Sequence, residues 1–505
     1  MSKNRIIKSS MLLMVIVLSI KLLGFIKQSI LAWAFGTSPG IDVYYTADGY
    51  VSMFGQVILA AIPPAIITTY LKIKNSEEEK KFICSSFILM GIIGLILSLA
   101  NILLSPFLSR ILGPSYNLDQ INKLTYYLIL LSPLIIFASV ASISSGLLQS
   151  KHKFLQDKLY GLYSSVFIII SVFTFKDTLG VDSLPIGYII GYFAFALMMV
   201  ILFFRNTKFV PSSPINNNNI KKFKKAVLPI IVGVCLVDIS HLLDRIIAST
   251  LEPGSVSSLY YSQIICGDLV NGIIITSIGT VLLPDFAKKI ANNGGKTAIN
   301  LRRIFGVTIP IVLLITLLYI IVGDKFISVV FERGEFTSQS TEIVYSCVAG
   351  YAIGLVAILI KEIISKYFYA IEDTKTPMKA NIVGIVLNVA LNIVLSHFLG
   401  VQGIAYATSF SLAFACIILI INYKRVANTK ILNKKTIREM LKLMSAALVT
   451  IFVGLLSTML NIDNKWLSLF VQSILIISSF TILLFVFKTE TCKYVKYIIS
   501  KSRAK

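Results

Sequence analysis

Apolar side chains along this chain fall into long unbroken runs, separated by short stretches rich in Lys, Asn, Gly and Pro. A helix that crosses the hydrocarbon core of a bilayer needs ~20 mostly apolar residues. The strict apolar/polar alternation of an outer-membrane barrel is missing. The pattern predicts helices at about 9 to 36, 44 to 70, 82 to 108, 124 to 148, 156 to 175, 184 to 204, 226 to 250, 257 to 284, 304 to 323, 341 to 369, 377 to 397, 402 to 422, 441 to 460 and 466 to 487. The expected class is an all-α polytopic membrane protein with about 14 transmembrane helices.

Composition agrees: of 505 residues, 56% are apolar and 14% charged, against ~45–50% and ~25% in a soluble domain. No length of chain is left for a large soluble catalytic domain. A net charge of +23 would point to nucleic acid in a soluble protein. Here Lys and Arg gather in the even-numbered connections and the two tails, which by the positive-inside rule face the cytoplasm. Membrane lipids, and no nucleic acid, are the expected partners of this charge, and both termini are expected inside. Asp42, Glu252 and Glu335 then fall on the outer side or at its margin. Lys3, Arg5 and Lys8 before an apolar run imitate a signal peptide, yet no small-residue cleavage site follows, so the run is read as the first helix. The six cysteines have no CxxC spacing and read as membrane packing.

Two long basic connections, 205 to 225 and 423 to 439, divide the helices into six, six and two. The expected organisation is an N-terminal six-helix lobe over 1–208, a C-terminal six-helix lobe over 221–425, two extra helices over 436–488, and a basic cytoplasmic tail over 489–505. An internal repeat supports it. ILAWAFGTSPGIDVYYTA from Ile30 aligns without gaps on IIASTLEPGSVSSLYYSQ from Ile246, pairing Tyr44 with Tyr260 and Tyr45 with Tyr261. LGVDSLPIGY from Leu179 aligns at nearly the same offset on LGVQGIAYAT from Leu399. An even number of helices between copies keeps both halves in one orientation, so a central cavity is expected between two lobes.

Ionisable residues inside such helices are expensive and mark candidate function. Lys21 and Lys27 flank Gly24 on helix 1; they suit an anionic head group, with snorkelling as the structural alternative. Asp42 is read either as a site residue or as the N-cap of helix 2. Pro63 and Pro64 interrupt the hydrogen-bond ladder of helix 2, which is tolerated beside protein or a wet cavity. In VDISHLLDRIIAS on helix 7, Asp238, His241 and Arg245 share one stripe and Asp244 stands beside Arg245. Helix 10 carries Lys361, Glu362 and Lys366.

The run GLVAILIKEIISKYFYAIEDTKTP from Gly354 resembles the helix 10 to 11 signature of the MurJ (MviN-type) lipid II flippases, in the multidrug/oligosaccharidyl-lipid/polysaccharide exporter superfamily. KLLGFIKQSILAWAFGTSPGIDVYY, ASTLEPGSVSSLYYSQ with GTVLLPDFAKKIA, and FERGEFT agree with it. The resemblance implies two six-helix lobes around a basic cavity, in a multi-pass protein of the bacterial cytoplasmic membrane. It implies a flippase that moves polyprenyl-pyrophosphate-linked peptidoglycan precursor (lipid II) from the inner to the outer leaflet by alternating access. By position it implies substrate-binding roles for Lys21, Lys27 and Asp42, to which the intramembrane charges Arg245 and Lys361 are added as candidates. The family's arginine on helix 2 falls at or near Gly55, and its helix 8 arginine and glutamate fall on Ile264 and Gly267. Half of the expected basic cavity is therefore absent. A second reading is export of another lipid-linked oligosaccharide of teichoic, capsular or O-antigen type, and a third is a cation-coupled multidrug antiporter. No enzyme is expected, because neither the short outer loops nor the basic inner ones hold an acid/base or metal motif.

No cofactor is expected, beyond Na+ or H+ coupling. Asn388 and Asn392 share one face of helix 11, while Thr408 and the Ile404 carbonyl share a face of helix 12. With Asp244 supplying one negative charge, these oxygens form a candidate site for a monovalent cation. By the resemblance, Asn392 stands where an aspartate is found in some relatives, so binding here would be weaker or absent. Interhelical hydrogen bonding is the structural alternative, and a proton on Asp244 is the alternative coupling ion.

Overall fold

The computed structural model describes residues 3–151, 153, 156–208, 210, 218–292, 301–427, 434–459 and 462–492. Most of the basic tail and much of the 205–225 connection lie outside the described residues. The helices are α1 (Lys3–Phe35), α2 (Pro39–Tyr70), α3 (Ser76–Leu112), α4 (Leu118–Leu131), α5 (Pro133–Ser150), α6 (Tyr160–Leu179), α7 (Ser183–Asn206), α8 (Asn218–Ala248), α9 (Ser255–Gln263), α10 (Thr276–Asn292), α11 (Leu301–Phe331), α12 (Ser338–Ala370), α13 (Lys375–Leu399), α14 (Val401–Ala427), α15 (Lys434–Thr458) and α16 (Lys465–Val486). No strand occurs among the described residues.

Twelve helical stretches among the described residues are long and apolar enough to cross a membrane, α6 and α7 counting as one stretch, Tyr160–Asn206. A 3-10 turn over Gly180–Asp182 separates those two. The helix expected at 257 to 284 is α9, a π-helical stretch Ile264–Ile275, and α10 in succession, and is not among the twelve. The helix expected at 124 to 148 is α4 plus α5, because Pro133 has no N–H for the ladder and restarts the helix behind Ser132. Helix α2 begins at Pro39, several residues before the expected start: proline at the first helical position lacks only an N–H that would be orphaned anyway. Helix α1 runs unbroken through Gly24.

By packing, the chain forms two compact units, Met1–Ser257 with Gly334–Phe336, and Ser258–Arg333 with Thr337–Lys505. Helix α8, which the sequence repeat groups with the second lobe, packs against α2 and α3 in the first unit.

Within each unit the helices are inside-out relative to a soluble protein. On α3 the buried face carries Ser98, Asn101, Ser105 and Ser109, while Ile96, Leu99, Leu103 and Phe107 are exposed. On α13 the buried face is Gly384, Asn388, Asn392 and Ser396, with Val386, Ile393 and Phe398 outward. On α16, Ser468 and Gln472 are buried and Phe470, Ile474 and Val486 are exposed. Such a surface is stable against lipid tails, where polar groups must find partners within the protein. Asn101 donates across to the Leu128 carbonyl at 2.9 Å, and Gln472 to the Ser457 carbonyl at 3.1 Å.

Small residues set the tightest helix contacts. On α7, Gly187 and Gly191 are four apart, and a Cβ on either would lie under 3.0 Å from α6 atoms, the Ile168 and Ser164 Cα atoms among them. On α12, Gly350 and Gly354 stand in the same relation to Ala405 and Ser409 of α14. Both are small-xxx-small contacts, which let backbones approach where lipid supplies no hydrophobic drive between helices.

The FERGEFT segment between α11 and α12 closes onto the α1–α2 turn. The Glu335 N–H donates to the Trp33 carbonyl at 3.0 Å. Gly36 and Gly334 hold φ of 57° and 59°, and a Cβ on either would collide with backbone of the other segment.

Candidate functional site

In the first unit a polar seam joins α1, α2 and α8. Lys21 and Lys27 on α1 are both half-buried. One residue beyond Lys27, the buried Gln28 accepts a hydrogen bond from the Tyr45 hydroxyl at 3.0 Å, tying α1 to α2. Arg245 reaches from α8 to the α2 backbone, where its Nη1 donates to the Tyr45 carbonyl at 3.3 Å. It fits only because residue 49 is glycine: a Cβ there would lie 1.6 Å from the guanidinium nitrogen. Asp244 is 1% exposed, with the His241 Nδ1 3.9 Å from its carboxylate.

Asp42 does not cap its own helix. Ser38 holds the N-cap position of α2, and Asp42 sits in the first turn. Its carboxylate, 3% exposed, accepts the Gly254 N–H at 2.6 Å and the Ser257 N–H at 2.8 Å, at the start of α9. Asp42 therefore serves the N-terminus of a helix more than two hundred residues away, where free amides and the helix dipole favour an anion. Both oxygens are engaged by this role. Next to it the Thr46 hydroxyl lies 2.9 Å from the Tyr116 hydroxyl. In the α3–α4 turn, burial first and then the Asp42 charge hold the Tyr116 phenol well above its ordinary pKa.

The second unit brings four of the predicted cation-site residues together. Asn388 donates to the Thr408 hydroxyl at 3.1 Å, Asn392 donates to the Asn388 amide oxygen at 3.3 Å, and the Thr408 hydroxyl donates to the Ile404 carbonyl at 3.0 Å. Both asparagines are buried. Lys361 lies elsewhere: its ammonium donates to Asn381 at 3.2 Å and links α12 to α13, about two turns along α13 from Asn388. Lys366 pairs with Glu362 at 2.7 Å. Among the described residues there is no group of three or more His, Cys, Asp or Glu side chains suited to a metal.

Sequence reasoning passed over Asp48, which is 8% exposed on α2 and accepts from Ser52 at 2.6 Å. The signal was present, as an acid six residues past Asp42 inside an apolar run. The Ser52 hydroxyl also lies 3.0 Å from the Tyr188 hydroxyl of α7, which carried no signal. Gly55, at or near which the resemblance would put an arginine, is buried, and a Cβ there would stand in ordinary contact, 3.6 Å from the Tyr192 hydroxyl and 3.8 Å from the Ala138 Cβ. Ile264, where the helix 8 arginine would fall, is likewise buried.

Comparison with known proteins shows what the chain as a whole is similar to. The family model described as lipid II flippase MurJ matches residues 31–483. A probable lipid II flippase MurJ of Vibrio cholerae is 24% identical over 488 residues, covering 92% of this chain and 91% of the relative. One from Buchnera aphidicola is 26% identical over 487 residues, covering 92% of each. The fold is similar to a solved structure titled lipid II flippase MurJ, inward closed conformation, with a TM-score of 0.82, 23% identity, and 94% of this chain and 98% of that one covered. It also resembles an inward-facing multidrug resistance MATE family transporter of the MOP superfamily, at a TM-score of 0.64 and 14% identity, with 82% of this chain and 98% of that one covered.

The Asp42 geometry makes a prediction. Asn at this position keeps the shape but offers one acceptor to two amides, so Asp42→Asn should destabilise the purified protein by about 1–3 kcal/mol, read as a fall in unfolding temperature. An unchanged unfolding temperature would remove the capping role.

Proposed function

The chain belongs to the MurJ family of lipid II flippases, and on that premise we propose that it carries lipid II from the inner to the outer leaflet, without chemical change to the substrate. The observation that carries this reading is the family match along residues 31–483, nearly the whole helical chain. The multi-pass architecture supports it. In this reading the chain makes fourteen crossings of the bacterial cytoplasmic membrane, with six-helix lobes over 1–208 and 221–425, further helices over 436–488, and both termini and the basic tail inside. Lys21 and Lys27 attract the pyrophosphate as point charges. Arg245 is seated on α2 by the Tyr45 carbonyl and steadies the wall of the path. Asp42 acts through the α9 terminus that it caps, and Lys361 through the α12–α13 contact.

One observation favours a second reading, a different lipid-linked oligosaccharide. By the resemblance, the family's helix 2 arginine falls at or near Gly55, where this chain has glycine. Arginine grips phosphate bidentately and lysine does not, so the head-group grip of this chain differs from that of its relatives.

For coupling, we infer a weak Na+ site at Asn388, Asn392, Thr408 and the Ile404 carbonyl. The support is the connected, buried oxygen cluster on α13 and α14. With Asn at 392 this group of oxygens is neutral, so its hold on a cation is weak.

Depletion of the protein in its host should trap lipid II in the inner leaflet, and Lys27→Arg should restore flipping where Lys27→Ala does not. A normal lipid II pool beside a trapped teichoic, capsular or O-antigen intermediate would select the second reading. For orientation, single cysteines at the exposed Glu252 and Glu335 should react with an impermeant thiol reagent added outside intact cells; reaction only after lysis would invert the topology. In proteoliposomes an inward-directed sodium gradient should change the rate of flipping in the parent and not in Asn388→Ala. An equal response in both would leave these asparagines as interhelical glue.

A further inference from the structure

Beyond the Arg245 contact, the seam between α2 and α8 holds a carboxylate to which no role has been assigned. The two helices run antiparallel within the first unit: Asp42 near the start of α2 meets Gly254 and Ser257, and further along Gly49 meets Arg245. One heptad on from that contact along each helix, Gln56 and Asp238 stand at the same depth, about 10.5 Å from it. A heptad returns a helical position to within ~20° of its starting direction. Gln56 therefore lies on the face that Gly49 turns to α8, and Asp238 on the face that Arg245 turns to α2.

Asp238 is half-buried, and among the described residues neither a hydrogen bond nor an ion pair reaches its carboxylate. The cations on its own stripe are directed elsewhere: Arg245 donates to the Tyr45 carbonyl, and His241 Nδ1 lies 3.9 Å from Asp244. Gln56 is exposed in the middle of α2, and its amide likewise has no hydrogen-bond partner among the described residues. One turn further, Pro63 and Pro64 supply no N–H to the Leu59 and Ala60 carbonyls. A row facing lipid tails looks different. Helix α14 exposes Phe410, Phe414, Ile417 and Ile421, whereas α2, past its first residue, exposes only Gln56, Ala60, Pro64 and Thr68.

An unmatched carboxylate at membrane depth is expensive, and this chain otherwise pairs its intramembrane amides, as Asn101 and Gln472 do. Asp238 and Gln56 depart from that habit together, at one depth and on facing sides of one seam. What they offer is a set of acceptors with a single negative charge: a carboxylate, an amide oxygen and two main-chain carbonyls. The missing donors must come from a ligand.

We propose that Asp238 and Gln56 form a binding site for a primary ammonium group carried by the transported head group. An ammonium brings three N–H donors and no acceptor. One donor goes to the Asp238 carboxylate, where the opposite charges also meet, one to the Gln56 amide oxygen, and one to the Ala60 carbonyl freed by Pro64. A neutral hydroxyl would leave the Asp238 charge unmatched. A metal ion fits less well, because hard cations are held in closed cages of about six or more oxygens. This site is open at Gln56, the side on which a group attached to the ammonium needs room. That the ammonium belongs to a transported head group rests on the flippase reading; the preference of the site for an ammonium does not.

The test is thermal unfolding of the purified full-length protein in chloride salts of equal ionic strength, with ethylammonium, tetramethylammonium or sodium as the cation. Tetramethylammonium has the charge but no N–H. In the parent, ethylammonium should raise the unfolding temperature by roughly 2 °C or more above tetramethylammonium, and Asp238→Asn should abolish that difference. Gln56→Leu, at an exposed position, should fold as the parent does and shrink the difference, which keeps the site testable should Asp238→Asn fail to fold. Equal unfolding temperatures of the parent in the two ammonium salts would overturn the site, as would a difference that survives unchanged in Asp238→Asn or in Gln56→Leu. A rise in sodium as large as that in ethylammonium would make this a metal site and overturn the ammonium assignment. No lipid-linked substrate enters the measurement, so its failure is separate from a failure of the flippase reading, which the depletion experiment decides.

Discussion

Hydrocarbon offers no hydrogen bonds, so each polar group that this chain carries into the membrane must meet a partner brought by another part of the same chain. Helix α2 shows how far that requirement reaches. Its Asp42 takes two amides from the start of α9, its Tyr45 donates to Gln28 on α1 and accepts Arg245 from α8, and its Ser52 sits beside Tyr188 of α7. These bonds span most of the first unit in sequence. An isolated α2 in lipid would leave several buried polar groups unsatisfied, each at a cost of about 1–3 kcal/mol. The helix is thus specified by polar pairing, while its apolar residues only keep it in the membrane.

The same requirement explains why glycines sit where they do. A polar bond between helices needs the backbones close, and Gly49 lets the Arg245 guanidinium lie on α2 where any side chain would displace it. Gly187 and Gly191 draw α7 onto α6, and Gly350 and Gly354 draw α12 onto α14. In the second unit that closeness has a chemical product: Ser409 donates to the Gly350 carbonyl at 2.6 Å, on the same helix that presents Thr408 to Asn388.

Most of the architecture was legible in the sequence, because a run of apolar residues long enough to span a bilayer permits little besides a helix. The errors lie where local chemistry modifies a helix that the run already implies. The break at Ser132 and Pro133 and the early start at Pro39 both follow from proline lacking an N–H, and a stricter reading of proline would have found them. The π-helical stretch Ile264–Ile275 has no comparable signal in its composition. For the site, spacing within one helix was enough to place Asn388, Asn392, Ile404 and Thr408 on matching faces. It was not enough for Asp42, whose true partners, Gly254 and Ser257, offer backbone amides that any residue except proline would have offered.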